Sequence, residues 1–427
     1  MRRLYSALVT LIAPVAFAVV LLRGLRDRAY WAHLRERFGL GGVAGARPGI
    51  WLHAVSLGEV SAAAALVRGL RARHPDMPFV ISTSTPTGRA QALALFAGDK
   101  GIDVRYLPYD TPGSVERFLR RVRPQAAVIM ETELWPNLLH ACRGRGVPIM
   151  LANARLTPRS VARYRRLGRL FREAVESIAL IAAQTREDAD RFVAVGAPSA
   201  RTKVIGNVKF DFEQADALRE QGRELRSRCL GARPVWIAGS THEGEEAAAL
   251  DAHAQLTLKF ADALLMLVPR HPQRFDNVAH LLAGRGIPYE RRSAGRAVRP
   301  QARVLLIDSV GELAMLYAAA DAAFVGGSLV PIGGHNLLEP AALGIPVITG
   351  PHHENAPAIA QALLRAGAAV EVADAAGLAG VLGKFFQDPD LRRQTGERAQ
   401  AFVDRHRGSV ERLLVLFERM LGDSRAG

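Results

Sequence analysis

Cysteine is almost absent from this sequence, which contains Cys142 and Cys229 and no others among its 427 residues. Two cysteines cannot form a disulfide framework, and such low usage is typical of a reducing compartment. The sequence also lacks a DxD-like pair of acidic residues at the end of any predicted strand, and neither cysteine lies in a metal-binding pattern. We therefore expect neither a catalytic metal nor another cofactor.

Acidic residues are scarce relative to basic ones. The 41 Asp and Glu residues against 56 Lys and Arg give a formal net charge of +15, which is compatible with a nucleic-acid partner. However, the sequence has no RNP-like string, no zinc-finger spacing and no alternation of aromatic and basic residues. The first forty residues instead carry seven arginines against Asp27 and Glu36, and these arginines flank an apolar segment. This arrangement predicts attachment to anionic membrane lipids and no nucleic-acid partner.

The N-terminal segment, residues 1–28, is predicted to be a membrane anchor. Residues 4–22 are uncharged, and a helix rising about 1.5 Å per residue would make them roughly 28 Å long, close to the hydrocarbon thickness of a bilayer. A cleaved signal peptide is the alternative, because Ala16-Phe17-Ala18 resembles a cleavage site. That tripeptide lies inside the apolar run, and arginines follow at positions 23, 26, 28, 35 and 37. Because such a cluster stays in the cytoplasm, we favour an uncleaved anchor, which either spans the membrane or lies in its surface.

The rest of the chain is long enough for two domains, and its composition of 49% hydrophobic and 23% charged residues is globular. Short apolar runs alternate with amphipathic helical stretches, which is typical of parallel sheets built from βαβ units. The predicted strands of the first set are 50–55, 79–83, 104–107, 126–130, 148–152, 180–183 and 203–205, and those of the second are 235–238, 264–268, 304–307, 322–325 and 347–349.

The predicted fold class is therefore α/β, with two Rossmann-like, doubly wound domains at residues 29–213 and 214–427, a division that allows the last helix to return to the first domain. A polar helical stretch, 214–230, ends in Gly231-Ala232-Arg233-Pro234, which indicates a joint between the domains. In such domains ligands bind at the carboxyl ends of the strands, so we expect a cleft between the two halves.

Polar residues follow three predicted strands of the first domain. Glu59 comes just after the first strand and near a helix start, where it is either a general base or an ordinary first-turn acid. Glu131 and Glu133 follow another strand, but alternate residues of an extended chain face opposite ways, so both are not expected in one site. Trp135 and Pro136, next in sequence, are expected to pack. Lys209 follows the last strand and either neutralises a bound anion or is simply solvated.

The second domain has four candidate ligand contacts. Residues 239–246, GSTHEGEE, follow a strand and open a helix, where small hydroxyls and amides suit an anion. Arg270 follows the next strand and is placed for bidentate phosphate contact. Gly311-Glu312-Leu313 opens another helix.

The fourth candidate is the glycine-rich stretch from Gly326 to Pro340. Its glycines let a ligand approach the backbone, the helix start at Asn336 offers amides to a phosphate, and Glu339 can accept hydrogen bonds from ribose hydroxyls. A glycine-rich turn with an ordinary helix cap is the alternative. The glycines at 39, 41, 42 and 45 form no GxGxxG pattern and follow no strand.

A run of arginines meets no acidic residue until Glu173 and predicts a cationic surface on or beside a helix, which either faces anionic lipid or is only solvated. Its members are Arg155, Arg159, Arg163, Arg165, Arg166, Arg169 and Arg172.

Ten short strings occur along the sequence, in this chain order: HAVSLGEV, PTG, YLPYD, METELWPN, ANARL, STHEGEE, VPRHPQRF, GEL, FVGGS and GGHNLLEP. Together with the anchor, these strings resemble the 3-deoxy-D-manno-octulosonic acid (Kdo) transferases of lipopolysaccharide assembly. The resemblance covers essentially the whole chain.

The resemblance implies a GT-B fold and transfer of Kdo from CMP-Kdo to the lipid A precursor, an acylated, phosphorylated glucosamine disaccharide. It implies that Glu59 is the catalytic base of an inverting reaction and that Glu131 and Lys209 support the transition state. The implied CMP-contacting residues are Pro269, Arg270, Gly311, Glu312, Leu313, Asn336, Leu337, Leu338 and Glu339.

We accordingly expect a membrane-anchored glycosyltransferase on the cytoplasmic side of a bacterial inner membrane. A nucleotide-sugar epimerase is an alternative enzyme, and interconversion of free nucleotide sugars without a lipid acceptor would favour it. A membrane-tethered nucleotide-binding scaffold is the non-enzymatic alternative, which requires that Glu59→Gln leave biological activity intact.

Overall fold

The computed structural model describes residues 1–41, 48–211 and 215–426. The chain forms two compact units, Met1–Asp211 together with Gly408–Gly427, and Phe212–Arg407. The predicted boundary between residues 213 and 214 lies outside the described residues, as do the glycines at 42 and 45. The predicted α/β class with two doubly wound sheets is confirmed, because each unit contains one seven-stranded parallel sheet.

The first unit begins with a long helix and continues with alternating strands and helices. Its elements are α1 (Arg2–Gly24), β1 (Gly49–His53), α2 (Leu57–Arg73), β2 (Phe79–Thr83), α3 (Pro86–Leu95), β3 (Ile102–Tyr106), α4 (Pro112–Val122), β4 (Pro124–Met130), α5 (Pro136–Arg143), β5 (Ile149–Ala154), α6 (Pro158–Arg166), α7 (Arg169–Glu176), β6 (Leu180–Ala183), α8 (Arg186–Ala194) and β7 (Thr202–Val204). The strand order is β3-β2-β1-β4-β5-β6-β7.

This sheet is covered on both faces, because neighbouring residues of a strand point to opposite sides. In β1, Ile50 and Leu52 belong to one buried apolar cluster, whereas Trp51 between them belongs to another. The continuous apolar runs of the sequence are therefore strands that are buried on both faces.

The second unit repeats this architecture. Its elements are α9 (Ala215–Leu225), β8 (Val235–Thr241), α10 (Glu245–Thr257), β9 (Leu264–Pro269), α11 (Phe275–Gly284), β10 (Tyr289–Arg291), β11 (Val304–Leu306), α12 (Leu313–Ala318), β12 (Ala322–Val325), α13 (Leu338–Ala342), β13 (Val347–Thr349), α14 (Pro357–Arg365), β14 (Ala369–Glu371), α15 (Ala375–Gln387) and α16 (Pro389–His406). The strand order is β10-β11-β9-β8-β12-β13-β14, and its two edge strands, β10 and β14, were not predicted.

The joint predicted at residues 231–234 is wrong, because helix α9 before it already belongs to the second unit. Gly222 of α9 lies so close to Ala318 of α12 that a Cβ atom on Gly222 would meet Ala318 at 2.6 Å. Arg226, just after α9, pairs with Asp321 at 2.9 Å. The Gly and Pro residues at 231–234 therefore form a turn within one unit.

Helix α1 is the one helix among the described residues that is long and apolar enough to cross a membrane. Near its start, Tyr5 donates a hydrogen bond to Asp110 at 2.9 Å and Ser6 donates one to Asn137 at 2.7 Å. Near its end, Phe17 meets Phe38 with ring centroids 5.1 Å apart. The opposite face exposes apolar side chains, namely Leu4, Leu8, Leu11, Ile12, Val15, Val19 and Leu22. The helix therefore contacts the first unit along its length and leaves an apolar stripe uncovered.

The last helix, α17 (Ser409–Ala426), packs in the first unit, although the whole second unit precedes it in the chain. Leu413 and Phe417 are fully buried in the same apolar cluster as Ile50. At its start, the carboxylate of Asp211 accepts hydrogen bonds from the amides of Gly408 and Val410. Asp211, where the chain leaves the first unit, is therefore hydrogen-bonded to the residues at which the chain returns to it.

Candidate functional site

Glu59 is held at the start of α2 by reciprocal hydrogen bonds. The Ser56 hydroxyl caps the helix by accepting from the Glu59 amide at 3.4 Å and donates to Glu59 Oε1 at 3.1 Å, while the Val55 amide donates to Oε2 at 2.9 Å. This arrangement is close to a capping box. The predicted position of Glu59 in the first turn of the helix is therefore confirmed. The same hydrogen bonds fix its carboxylate at the carboxyl end of β1.

The charges of two further carboxylates act on Glu59. Burial, reinforced by the charges of Glu131 and Glu133, raises the pKa of Glu59 to about 7, against hydrogen bonds from Val55 and Ser56 that lower it. A carboxyl group with a pKa near neutrality can both take up and release a proton at physiological pH. This environment gives Glu59 the acid–base property that a general base needs.

The expectation that Glu131 and Glu133 do not share one site is wrong, because both lie close enough to Glu59 for their charges to raise its pKa. Strand β4 ends at Met130, and Glu131 adopts a left-handed backbone with φ of 57°, so the alternation of an extended chain no longer applies. Trp135 is also not packed as expected, since it is 39% exposed and donates to Glu133 at 2.8 Å. Pro136, in contrast, is buried at the start of α5.

Lys209 meets Glu131 in the same unit. The ammonium nitrogen of Lys209 lies 4.0 Å from Glu131 Oε1, and both side chains remain partly exposed. The three residues singled out by sequence in the first unit, Glu59, Glu131 and Lys209, are thus brought together at the carboxyl edge of the sheet.

A buried amide network that sequence reasoning missed positions Lys209. Asn153, fully buried and left-handed at φ of 53°, accepts from the Val208 amide at 3.2 Å. Its backbone carbonyl accepts from Gln184, and Gln184 in turn accepts from Asn207, the cap of the turn that carries Lys209. The available signal was Asn153 within the string ANARL, at the end of a predicted strand.

In the second unit, the anion expected at residues 239–246 is supplied by the protein itself. The carboxylate of Glu245 is fully buried and accepts from the amide of His242 at 2.9 Å. It also accepts from the amides of Gly327, Ser328 and Leu329, at 2.7, 3.0 and 3.0 Å. These amides are therefore not free for a ligand, and Glu245 instead binds the glycine-rich loop to the end of β8.

Close approach explains two of the glycines in that loop. A Cβ atom on Gly326 would lie 2.6 Å from the Ser240 carbonyl and 2.9 Å from a Glu245 oxygen. One on Gly327, at φ of 70°, would meet the His335 ring at 3.0 Å. The glycines here accommodate the internal carboxylate and a neighbouring ring.

Arg270, Asn336 and Glu339 lie near one another in the second unit. Pro269 ends β9, Arg270 is exposed, and no acidic side chain in the described parts of the chain forms an ion pair with its guanidinium. Asn336 donates to Glu339 at 3.1 Å, and burial raises the pKa of Glu339 while Asn336 and the Arg270 charge oppose that rise. A cation and a hydrogen-bonded carboxylate are thus available side by side.

The helix after Asn336 is a weaker anion site than the sequence predicts. Helix α13 has only five residues, Leu338–Ala342, and the Asn336 side chain already accepts from the Leu338 amide at 3.2 Å. So short a helix adds little dipole. The Leu338 amide is therefore not free for a ligand, and a ligand contact at Leu337 or Leu338 must use another backbone group.

Gly311, Glu312 and Leu313 precede and open α12, as predicted. Gly311 has φ of 91°, and Glu312 is the residue before the helix. Glu312 accepts from Arg292 at 2.9 Å, and also from the Ser309 hydroxyl. The buried Tyr317 of the same helix lies within reach of the Glu339 charge, so this helix start and Glu339 belong to one neighbourhood.

Two protein-family models match this chain, one in each half. A model described as 3-Deoxy-D-manno-octulosonic-acid transferase (kdotransferase) matches residues 32–212, and a model described as Glycosyl transferases group 1 matches residues 238–402.

Two similar relatives cover nearly the whole chain. The 3-deoxy-D-manno-octulosonic acid transferase of Haemophilus influenzae is 39% identical over 98% of this chain and 99% of its own length. That of Bordetella pertussis is 39% identical over 99% of this chain and 100% of its own length.

Among solved structures, the UDP-GlcNAc 2-epimerase of Neisseria meningitidis has a TM-score of 0.54, with 84% of this chain and 99% of that chain covered. At 13% sequence identity this likeness concerns the fold alone. It supports the predicted GT-B class of two Rossmann-like domains.

Proposed function

Since this chain belongs to the 3-deoxy-D-manno-octulosonic acid transferase family and is a glycosyltransferase, we propose that it transfers Kdo from CMP-Kdo to the lipid A precursor in lipopolysaccharide biosynthesis. The acceptor is an acylated glucosamine disaccharide bisphosphate. The observation that carries this proposal is the carboxylate cluster around Glu59, in a first unit that matches the family model.

Glu59 acts as the general base in this proposal. It removes the proton from the acceptor hydroxyl while that oxygen attacks the anomeric carbon of Kdo, and CMP leaves with the bonding electrons from the opposite face. A single displacement of this kind inverts the anomeric centre. The support is a pKa of about 7 and a carboxylate fixed by Val55 and Ser56. A positioned base contributes about 10² to 10⁴-fold.

Glu131 and Lys209 support the transition state beside the base. The Lys209 ammonium lies 4.0 Å from Glu131 and is held by the Asn153 network. A cation beside Glu131 offsets part of the negative charge of this cluster, and it can also stabilise negative charge that develops on the reacting groups. The partly exposed position of both side chains leaves them accessible to a substrate.

The second unit binds the CMP part of the donor. Arg270, which forms no ion pair with an acidic side chain among the described residues, contacts the phosphate, and Glu339 accepts hydrogen bonds from the ribose. The starts of α12 and α13, which carry Gly311–Leu313 and Asn336–Leu338, complete this site through backbone groups. The support is the shared neighbourhood of Arg270, Glu339 and Tyr317.

The enzyme works at the cytoplasmic side of the bacterial inner membrane, held by α1. The uncovered apolar stripe of α1 is the surface that suits lipid. The seven arginines of the run from Arg155 to Arg172, here called the arginine surface, are all exposed on and around α6 and α7. Each exposed arginine near anionic lipid contributes about 1 kcal/mol, which suits an anionic acceptor embedded in a bilayer.

The test is to incubate the purified protein with CMP-Kdo and the lipid A precursor and to read the product masses, with Glu59→Gln as the matched control. We expect a mass gain equal to one or more Kdo residues for the wild type, release of CMP, and at least about a hundredfold slower reaction for the variant. CMP binding should be nearly unchanged in the variant. If the wild-type protein binds CMP-Kdo but forms no product, the proposed acceptor is contradicted. If Glu59→Gln turns over at the wild-type rate, Glu59 has no part in the mechanism.

A further inference from the structure

Three histidines meet in the second unit beside the proposed CMP contacts. His242 follows β8, His271 follows β9, and His335 lies in the glycine-rich stretch after β12. His271 is the chain neighbour of Arg270, and His335 that of Asn336. None of the three is among the residues to which the family resemblance assigns a contact with CMP.

His242 and His335 form a hydrogen-bonded pair of imidazoles. Their Nε2 atoms are 2.8 Å apart, their planes differ by 10° and their ring centroids are 5.0 Å apart. These values describe rings that lie edge to edge and share one N–H between two nitrogens. The ring of His271 stands across that of His242 at 81°, with centroids 5.5 Å apart.

The backbone segments beside the two rings are bound to the same carboxylate. Glu245 accepts from the amide of His242 and from the amide of Gly327, and a Cβ atom on Gly327 would lie only 3.0 Å from the His335 ring, which therefore packs closely on this loop. The His335 amide itself donates to the Gly326 carbonyl at 3.1 Å. The pair is therefore held in place before any ligand arrives, which is the condition for a preorganised site.

The charges that face the pair are mainly positive. The charges of Arg270 and Arg274, and that of His271 when it is protonated, act on His242 against the carboxylate of Glu245, and Arg270 and His271 act likewise on His335. Burial and these cations lower the pKa of His335 to about 4, and burial first and then these cations lower that of His242. An anion in contact with the pair would reverse this balance, because a nearby negative charge favours the protonated imidazole.

We propose that His242 and His335, with His271 beside them, bind the carboxylate of the sugar acid in the donor. This inference rests on the proposed function. The donor carries two anionic groups, the phosphate of CMP and the carboxylate of the octulosonic acid. Arg270 is assigned to the phosphate, and Arg274 is already paired with Glu243 and Glu246. Among the described residues the adjoining histidines are therefore left to donate hydrogen bonds to the carboxylate, and they would distinguish a sugar acid from a neutral sugar.

The experiment is calorimetric titration of the full-length protein with CMP-Kdo and, separately, with CMP, which lacks the sugar carboxylate. The variants are His242→Gln and His335→Gln, because the Gln amide can keep one hydrogen bond but cannot become a cation. His280→Gln, on the exposed side of α11, is the control. We expect both pair variants to bind CMP-Kdo at least roughly tenfold more weakly, with CMP affinity unchanged, which also shows that they fold.

Proton uptake provides a readout that a merely structural role would not change. Titrations near pH 7 in two buffers of different ionisation enthalpy should show that the wild type takes up protons with CMP-Kdo and not with CMP. His335→Gln should lose this uptake. If the variants bind CMP and CMP-Kdo more weakly by the same factor, the inference is overturned and the histidines contact the phosphate instead. If both variants bind CMP-Kdo with wild-type affinity, the inference is also overturned. If the wild type binds CMP but not CMP-Kdo, the proposed function fails together with it.

Discussion

The substitution Glu59→Gln removes one negative charge from the carboxylate cluster and keeps an oxygen that can accept the hydrogen bond now made by the Val55 amide. Activity and stability are therefore expected to change in opposite directions. The catalytic rate should fall at least about a hundredfold through loss of the base. The folded protein, however, should become more stable above neutral pH.

The sign follows from the pKa of Glu59. Burial, with Glu131 and Glu133 nearby, raises that pKa from 4.5 to about 7, so the native state binds the proton more tightly than the unfolded chain does. The contribution of Glu59 to stability is thus complete below pH 4.5 and is lost as the pH rises to about 7. At about 1.4 kcal/mol for each pH unit, reduced by solvent screening of a half-buried group, the loss is on the order of 1–3 kcal/mol.

The assay is urea unfolding of wild type and Glu59→Gln at pH 4, 6 and 8, in the same detergent. Their free energies of unfolding should agree at pH 4 and diverge in favour of the variant by pH 8. Glu187→Gln is the control, since Glu187 lies in the first turn of α8 behind a similar cap, Thr185, and hydrogen bonds lower its pKa. That control should show no gain in stability at pH 8.

The reasoning would be refuted if Glu59→Gln were as stable as the wild type, or less stable, at pH 8. That result would mean that Glu59 serves chiefly to cap α2, and that its charge is neither desolvated nor repelled by Glu131 and Glu133. A loss of activity without a gain in stability would then say little about a general base.

Four further outcomes are expected. Arg270→Ala and Glu339→Ala should each weaken CMP-Kdo binding about tenfold or more in calorimetric titration, because the first loses a phosphate contact and the second a ribose contact. Unchanged affinity in both variants would mean that the nucleotide site has been assigned to the wrong residues. Lys209→Met should lower kcat at least about tenfold and leave the Kd for CMP near the wild-type value, since it removes the cation beside Glu131; an unchanged kcat would limit Lys209 to a solvated role. Reversing the charges of Arg163 and Arg166 to Glu should raise the KM for the lipid acceptor and reduce binding to anionic liposomes at low salt, with CMP-Kdo affinity constant; no change would leave the arginine surface as a solvated face. A chelator should leave the rate of product formation unaltered, and a rate lost to chelation and restored by a divalent cation would contradict the expectation of no catalytic metal.

The central strands of both sheets could be predicted from sequence because they are buried on both faces and therefore read as apolar runs. Strands β10 and β14 could not, since each is a three-residue edge strand and their sequences, Tyr-Glu-Arg and Ala-Val-Glu, carry charged residues. An edge strand is paired on one side only, so its sequence need not be apolar. The turn at residues 231–234 was interpreted as a joint because turns of Gly and Pro occur both within a unit and between units.

The candidate site was predictable in position but not in its internal contacts. Strand ends followed by Glu59, Glu131 and Arg270 point to the ligand edge of each sheet, whatever the pairing of their side chains. The left-handed backbone of Glu131 and the four amides bound by Glu245 depend on residues distant in sequence. A pattern of residue types cannot distinguish an amide that awaits a ligand from one that already binds a buried carboxylate.

The return of α17 to the first unit also determines the order in which the protein can be completed. During synthesis, domains ordinarily fold in the order in which they leave the ribosome. Here the first unit lacks Leu413 and Phe417 until the whole second unit has been made. We therefore expect the second unit to finish folding first. Until then the nascent first unit, which already carries its apolar N-terminal helix, has a core that lacks the side chains of α17.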